Sequence, residues 1–510
     1  MSSPPSVRDV ARAPLLVLAW LLLPLPLSAQ DVPATLSLDD AIRIARQNAP
    51  DYLSATARSA SADWAVREAY GALLPGASLN TSFSWQGAGT QRFGIFNASD
   101  FGLATSTSYY SSSYSVGLSY RLSGSALLAP GREKASRRAT EEQIVASGRT
   151  LEANVTLAYI GVRRAMDGVD LARQELERAD ENLKLAQARV TVGAAIPLDA
   201  KQAEVDRGRA EVGLLQAENL VLTERLRLSE TMGLHLDPTV ELTTAFEVFD
   251  FPWDLPTLLS LASEANPDIR SARATETAAR VSVRMARTAY LPSLSMQAGF
   301  SGFTRQAGNE TYLIQQAQSQ LAGQRTSCEL FNSISSGLSQ PLPGRPADCS
   351  GYVLTPDQEA QIRQGNNVFP FDFSREPLSL SLTLSLPVFQ GFSRERQIED
   401  ARVQQKSAAY QLRSRELSTR TAVETNYLNV ATARQTIDLE TRNRDLADEQ
   451  LRLARERYRV GSATFLELQD AATVKARADR AYLYAVYSFF DNFTSLEAAV
   501  GRTLRNGEIR

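Results

Sequence analysis

The chain has 510 residues, and its 54 basic and 57 acidic side chains nearly cancel. That balance gives no electrostatic reason for a nucleic-acid partner or a strongly anionic surface. One His (His235) and two Cys (Cys328, Cys349) leave little material for acid/base catalysis near neutral pH or for a His/Cys metal site, so no cofactor and no enzyme activity are expected.

Arg8 and Arg12 precede the apolar run "APLLVLAWLLLPLPLSA", Ala13 to Ala29. The run is broken by Pro24 and Pro26 and is shorter than the roughly 20 residues of a spanning helix. Residues 1–29 therefore read as a secretory signal peptide, cleaved before Gln30 after the small pair Ser28 and Ala29. No Cys lies near that site, so no lipid anchor is expected there.

A helical pattern, "IARQNAPDYLSA", comes next, followed by two alternating segments, "LNTSFSW" (Leu79 to Trp85) and "YSVGLSYRL" (Tyr114 to Leu122). In the second, Tyr114, Val116, Leu118, Tyr120 and Leu122 share one face, and Ser115, Gly117, Ser119 and Arg121 the other. A long helical stretch then carries Ala172, Leu176, Ala179, Leu183, Ala186 and Val190 at alternating four- and three-residue spacing. After the turn in "ARVTVGAAIPLDAKQA" (Ala188 to Ala203), Val205, Val212, Leu215, Leu222 and Leu226 fall on a similar seam, the pattern of coiled-coil packing. The Pro-bearing residues 239–256 read as a connector.

The order then repeats. "IARQNAPDYLSATARSASADWAVREAYGALLP" aligns with "LASEANPDIRSARATETAARVSVRMARTAYLP" at an offset of 217, superposing Pro50 on Pro267 and Pro75 on Pro292. Later landmarks align at an offset of 268: Gly193 with Gly461, and Gly233 with Gly501. Most of the difference falls in a Gly-, Gln-, Ser- and Pro-rich stretch, about residues 304–373, which reads as an enlarged loop. The expected organisation is a first repeat over residues 30–238, the connector, and a second repeat over 257–510. The second half carries its own alternating segments, "LSMQAGF" (Leu294 to Phe300) and "LSLSLTLSL" (Leu378 to Leu386). From Ser393 to Arg459 there is neither Gly nor Pro, and a helix over that stretch would reach about 100 Å. Its end, "RYRVGSATFLELQDA" (Arg457 to Ala471), repeats the earlier turn, so each turn is the expected tip of an antiparallel helical hairpin, with Gly supplying the unusual backbone angle.

Alternation alone is commonest in half-buried strands of soluble sheets. Here the second face is mostly small and uncharged, and the connections are longer than the usual hairpin loop. About 9 to 11 tilted residues cross a bilayer, which these segments approach. Four strands cannot leave their edges unpaired in lipid, and barrels begin at about eight strands, so transmembrane strands would require oligomerisation.

Together these features resemble the TolC-type outer-membrane efflux family over essentially the whole mature chain, most specifically in "RYRVGSATFLELQDA", "LSLDDAIRIARQNAPDYLSA" and "LSETMGLHLD". The resemblance implies a mixed α and β membrane protein: a homotrimer sharing one twelve-stranded transmembrane β-barrel, continued by a long periplasmic α-helical barrel. It implies a passive outer-membrane duct of a tripartite efflux pump or type I secretion system, working with a periplasmic adaptor and an inner-membrane transporter. Carried over by position, the adaptor-contacting tips fall on Val192, Gly193 and Leu198, and on Val460, Gly461 and Leu466. The periplasmic constriction falls on Asp199, Glu467 and Asp470, and Tyr458 matches a gate tyrosine. Ala463 stands where well-known members carry a gating Arg, which departs from their latch. A disulfide between Cys328 and Cys349 is expected in the second loop of an exported chain, with two unpaired thiols as the alternative. The competing readings are a periplasmic coiled-coil adaptor or scaffold, which leaves the four lipid-like strands unexplained, and an outer-membrane enzyme, for which no catalytic motif is found.

Overall fold

Alternation and long uninterrupted helical patterns both take shape in the computed structural model, which describes residues 34–89, 92–93, 96–97 and 107–504. The signal peptide reading for residues 1–29 lies outside these. In chain order the elements are β1 (Thr35–Leu36), α1 (Leu38–Asn48), α2 (Pro50–Gly71), β2 (Gly76–Gln86), β3 (Arg92–Phe93), β4 (Phe96–Asn97), β5 (Tyr109–Leu122), α3 (Gly124–Thr191) and α4 (Pro197–Met232). There follow β6 (Glu241–Leu242), α5 (Leu255–Ala265), α6 (Pro267–Arg287), β7 (Ser293–Ala307), α7 (Glu310–Ser336), α8 (Pro356–Asn366), β8 (Ser374–Arg375), β9 (Ser379–Ser385), α9 (Ser393–Arg459) and α10 (Phe465–Val500). The chain divides into two compact units, and each draws on both halves of the sequence: Met1–Ser59, Thr140–Ala272 and Leu412–Arg510 form one, and Ala60–Ala139 with Arg273–Gln411 the other.

The second unit is built on an antiparallel sheet in the order β2-β5-β7-β9, with β8 also paired to β7. All four segments that alternate in the sequence are strands of this sheet, and most are longer than the alternating core alone. Register puts Leu79 opposite Val116, Val116 opposite Phe300, and Leu382 opposite Met296, so the apolar positions of all four strands share one face. On the other face Ser82 and Ser113 hydroxyls meet at 2.8 Å and Ser84 and Ser111 at 2.9 Å. Leu79, Phe83 and Trp85 on β2, and Leu380, Leu382 and Leu384 on β9, are all exposed. Among the described residues, β2 pairs only with β5 and β9 only with β7, which leaves both edges open.

The stretch expected as an enlarged loop holds two helices. Asn309 caps α7 by accepting from the Thr311 amide at 3.0 Å, and Thr355 with Gln358 forms a reciprocal capping box on α8. Cys328 of α7 and Cys349 are joined, with an S–S distance of 2.09 Å. The chain then returns over the apolar face: Phe369 packs against Tyr110 with centroids 5.6 Å apart, and Phe373 against Tyr114 at 4.8 Å.

The first unit is helical around two apolar clusters. Leu36, Ala41, Val155, Tyr159, Leu228 and Met232 anchor one, and Leu258, Val423, Phe489, Phe493 and Leu496 the other. The connector does more than link the halves. Its β6 pairs in parallel with β1, and Phe246, Phe249 and Phe251 meet Tyr159, Phe489, Phe490 and Phe493 edge-on or tilted at centroid distances of 5.0 to 6.1 Å. Gly233 and Gly501 end α4 and α10 at φ 73° and 82°. Each presses against the chain at the end of a short helix: a Cβ on Gly233 would lie 2.5 Å from the Asn48 carbonyl oxygen, and one on Gly501 2.8 Å from the Asn266 Cα.

The two heptad seams have different fates. On α3, Ala186 is fully buried and Leu183 packs beside it. On α4, Val205, Val212, Leu215, Leu222 and Leu226 are exposed, so this seam does not close within the single chain.

Candidate functional site

The two long hairpins of the helical unit end in turns of the same construction. At the end of α3 the Ala194 amide donates to the Arg189 carbonyl at 2.8 Å and the Gly193 amide to Val190 at 3.0 Å. At the end of α9 the Ser462 amide donates to Arg457 at 2.8 Å and the Gly461 amide to Tyr458 at 3.1 Å. This double closure satisfies carbonyls that a helix end leaves free, and it needs a left-handed residue, which Gly193 and Gly461 supply at φ 74° and 83°. The following helices start differently: Pro197 opens α4 without a side-chain cap, whereas Thr464 and Glu467 form a full capping box on α10.

Around these turns Val192, Leu198, Val460 and Leu466 are all exposed, at 57 to 77%. Four large apolar side chains displayed on two adjacent turns of one unit are the composition of a contact surface. Beneath them, Tyr458 is 1% exposed and sits among Ala186, Ala203, Leu451, Phe465, Leu468 and Ala471. Its ring meets Phe465 edge-on at 5.8 Å, and its hydroxyl has no hydrogen-bond partner among the described residues. Burial pushes the Tyr458 phenol up from its ordinary value, the Asp199 charge adds to this, and Arg189 opposes it.

Arg189 joins the two turns. Its guanidinium lies 4.3 Å from the centroid of the Tyr458 ring, donates to the Tyr458 carbonyl oxygen, and donates from Nη2 to the Ala194 carbonyl at 2.8 Å. Arg457 occupies the matching place on α9 and donates to the Ser462 carbonyl at 3.2 Å. Sequence reading passed over Arg189, although its alignment with Arg457 at the 268-residue offset was available.

The carboxylates are distributed unevenly. Asp199 is half-buried in the first turn of α4, Glu467 is exposed and lies 3.5 Å from Arg457, and Asp470 is exposed one turn further along α10. Ala463 is half-buried in the second turn. Farther from the tips a ladder of polar pairs crosses from α3 to α10: Arg178 to Asp479 at 3.3 Å, Glu175 to Arg480 at 3.3 Å, and Arg164 to Asp491 at 3.1 Å. No group of three or more His, Cys, Asp or Glu side chains is placed to hold a metal ion among the described residues.

The family model described as "Outer membrane efflux protein" matches residues 41–234 and 360–502. The chain is 25% identical over 390 residues to the pyoverdine export outer membrane protein OpmQ of Pseudomonas putida, which covers 75% of this chain and 77% of that protein. It is 21% identical over 354 residues to the outer membrane protein TolC of Escherichia coli, covering 69% of this chain and 61% of that one. Among solved structures it resembles CusC with a TM-score of 0.66 and 18% identity, over 91% of this chain and 92% of the other. It resembles the CmeC outer membrane channel of Campylobacter jejuni with a TM-score of 0.66 and 17% identity, over 91% and 85%.

Proposed function

This chain belongs to the outer membrane efflux protein family and is an outer-membrane channel of a tripartite efflux pump; on that premise we propose that three copies share one twelve-stranded barrel. The open sheet carries this reading. Four antiparallel strands with an apolar face, a hydroxyl-lined face and two unpaired edges satisfy their backbone in lipid only by pairing edge to edge with further copies. The apolar face meets lipid and the Ser-rich face lines the lumen. The exposed seam on α4 supports contacts of the same kind between helices, closing a tunnel below the barrel.

In this reading the chain is a passive duct and not an enzyme. Cargo is selected and driven by the inner-membrane transporter, and a periplasmic adaptor seats on Val192, Gly193, Leu198, Val460, Gly461 and Leu466. The chain is exported by cleavage of residues 1–29 and spans the outer membrane while reaching into the periplasm. Residues 30–238 and 257–510 arose by duplication. Matching helix limits support this, since α4 and α10 begin and end at the same 268-residue offset. The disulfide-bonded excursion of α7 and α8 lies on the extracellular side. The light-scattering mass of the detergent-solubilised mature protein, corrected for bound detergent, is the test: three copies are expected, and a stable monomer overturns the shared barrel.

Asp199, Glu467 and Asp470 form the constriction, repeated threefold, with Tyr458 holding the hairpins beneath it. Carboxylates crowded in a narrow mouth favour cations. The pair Asp199→Asn and Glu467→Gln removes two charges per chain, and Gln retains the capping box on α10. Cation selectivity in planar bilayers is expected to fall while trimer assembly persists. Unchanged selectivity would remove these residues from the constriction.

A further inference from the structure

Four arginines converge on one cavity of about 440 Å³ in the helical unit: Arg43 and Arg46 from α1, Arg149 from α3, and Arg502 just beyond α10. Three carboxylates, Asp39, Glu152 and Glu497, line the same walls, one fewer than the guanidinium groups. Those carboxylates are partly committed. Glu152 accepts from Arg149 at 2.8 Å and also from Arg46, while Glu497 Oε1 accepts from the Leu504 amide at 2.7 Å. Arg43 is held 2.7 Å from Asp40 along its own helix. Arg502 lines the cavity without an ion pair among the described residues.

This arrangement is unfavourable as it stands. Burial pushes the Arg149 guanidinium down from its ordinary value, and Arg46 and Arg502 push it the same way against Glu497. Nor does helix packing demand it. At the two sequence offsets, the positions answering to Arg43, Arg46, Arg149 and Arg502 are Ser260, Ser263, Leu417 and Leu234, none of them basic. The junction of α5 with α9 and the end of α4 therefore does without the cluster.

We propose that this cavity is an oxyanion site, which takes a phosphate or carboxylate group on Arg149 and Arg502 with Arg43 and Arg46 adding to the field. Planar guanidinium groups match such oxygens in pairs, and a negative group among them relieves the repulsion between neighbours. Two sources supply that chemistry: a small anion from solution, or an acidic side chain of a second copy of this chain.

The test uses the intact detergent-solubilised protein, with sodium phosphate as probe against sodium chloride at matched ionic strength. Phosphate is expected to raise the unfolding midpoint and to bind measurably by calorimetry. Arg502→Gln, which breaks no ion pair, is expected to weaken phosphate binding at least about tenfold, the loss of one charge-assisted hydrogen bond. Arg502→Lys should restore part of it, and Arg209→Gln, on an exposed stretch of α4, should change nothing. If phosphate has no effect but Arg502→Gln lowers the oligomer mass, the oxyanion is the neighbouring copy's carboxylate. Absence of both effects overturns the site. None of these readouts involves conductance, so failure here leaves the channel reading intact.

Discussion

Replacing Gly233 by Ala is expected to destabilise the helical unit far more than the same change at Gly193. Both residues hold a left-handed backbone, at φ 73° and 74°, so both substitutions carry the conformational cost of about 1 to 2 kcal/mol. Their surroundings differ. Among the described residues nothing lies within 4 Å of a Cβ on Gly193, whereas one on Gly233 would sit 2.5 Å from the Asn48 carbonyl oxygen and 2.8 Å from the Ala49 Cα. Those are backbone atoms at the end of α1 and cannot turn aside as a long side chain would. Overpacking of this kind adds about 1 to 3 kcal/mol, a large share of a stability that seldom exceeds about 15 kcal/mol. Gly501→Ala should behave like Gly233→Ala, because the Asn266 Cα and the Pro267 ring each lie 2.8 Å away. Apparent unfolding midpoints of the three variants, compared with the parent chain, decide the matter. Equal losses at Gly193 and Gly233 would show that backbone angle alone matters and that the close approach is relieved at no cost.

Much of the architecture was legible because local rules act alone over long stretches. The limits of α9 follow from a run of 67 residues without Gly or Pro, and the four sheet strands from two-residue alternation. Gly193 and Gly461 announced the turns because few other residues accept that angle. The helices α7 and α8 escaped notice because the Pro, Gly and Ser residues between them dominate the composition of the whole stretch, although Gln-, Leu- and Ala-rich helix formers fill α7 itself. Arg189 was missed for another reason. Its stacking on Tyr458 joins residues 269 apart in sequence, and no pattern within one helix encodes which neighbour it will meet. The capping box at Thr464 and Glu467 could have been read from its spacing, and it shows that Glu467 has a structural duty besides any charge it lends to a pore.

Glu substitutions at Leu439 and Leu446 are expected to break the proposed trimer. Leu439, Leu446 and Leu453 recur every seven residues along α9, and each is at least 49% exposed in the single chain. Their burial between copies would contribute about 1.5 to 3 kcal/mol for each fully covered side chain. In a threefold assembly every substitution appears three times, so two changes per chain place six carboxylates on contacts that were apolar. Leu451 provides the contrast, since it lies on the same helix but is 6% exposed and packed beside Tyr458 and Leu468. Leu451→Ala should lower the unfolding midpoint by an amount corresponding to about 2 to 5 kcal/mol while the mass stays that of three copies. The double Glu variant should shift the mass towards one copy with its helix content retained. If instead it remains trimeric and only its conductance changes, the seven-residue seam on α9 faces the lumen, and the contacts that hold the copies together must come from the exposed seam on α4.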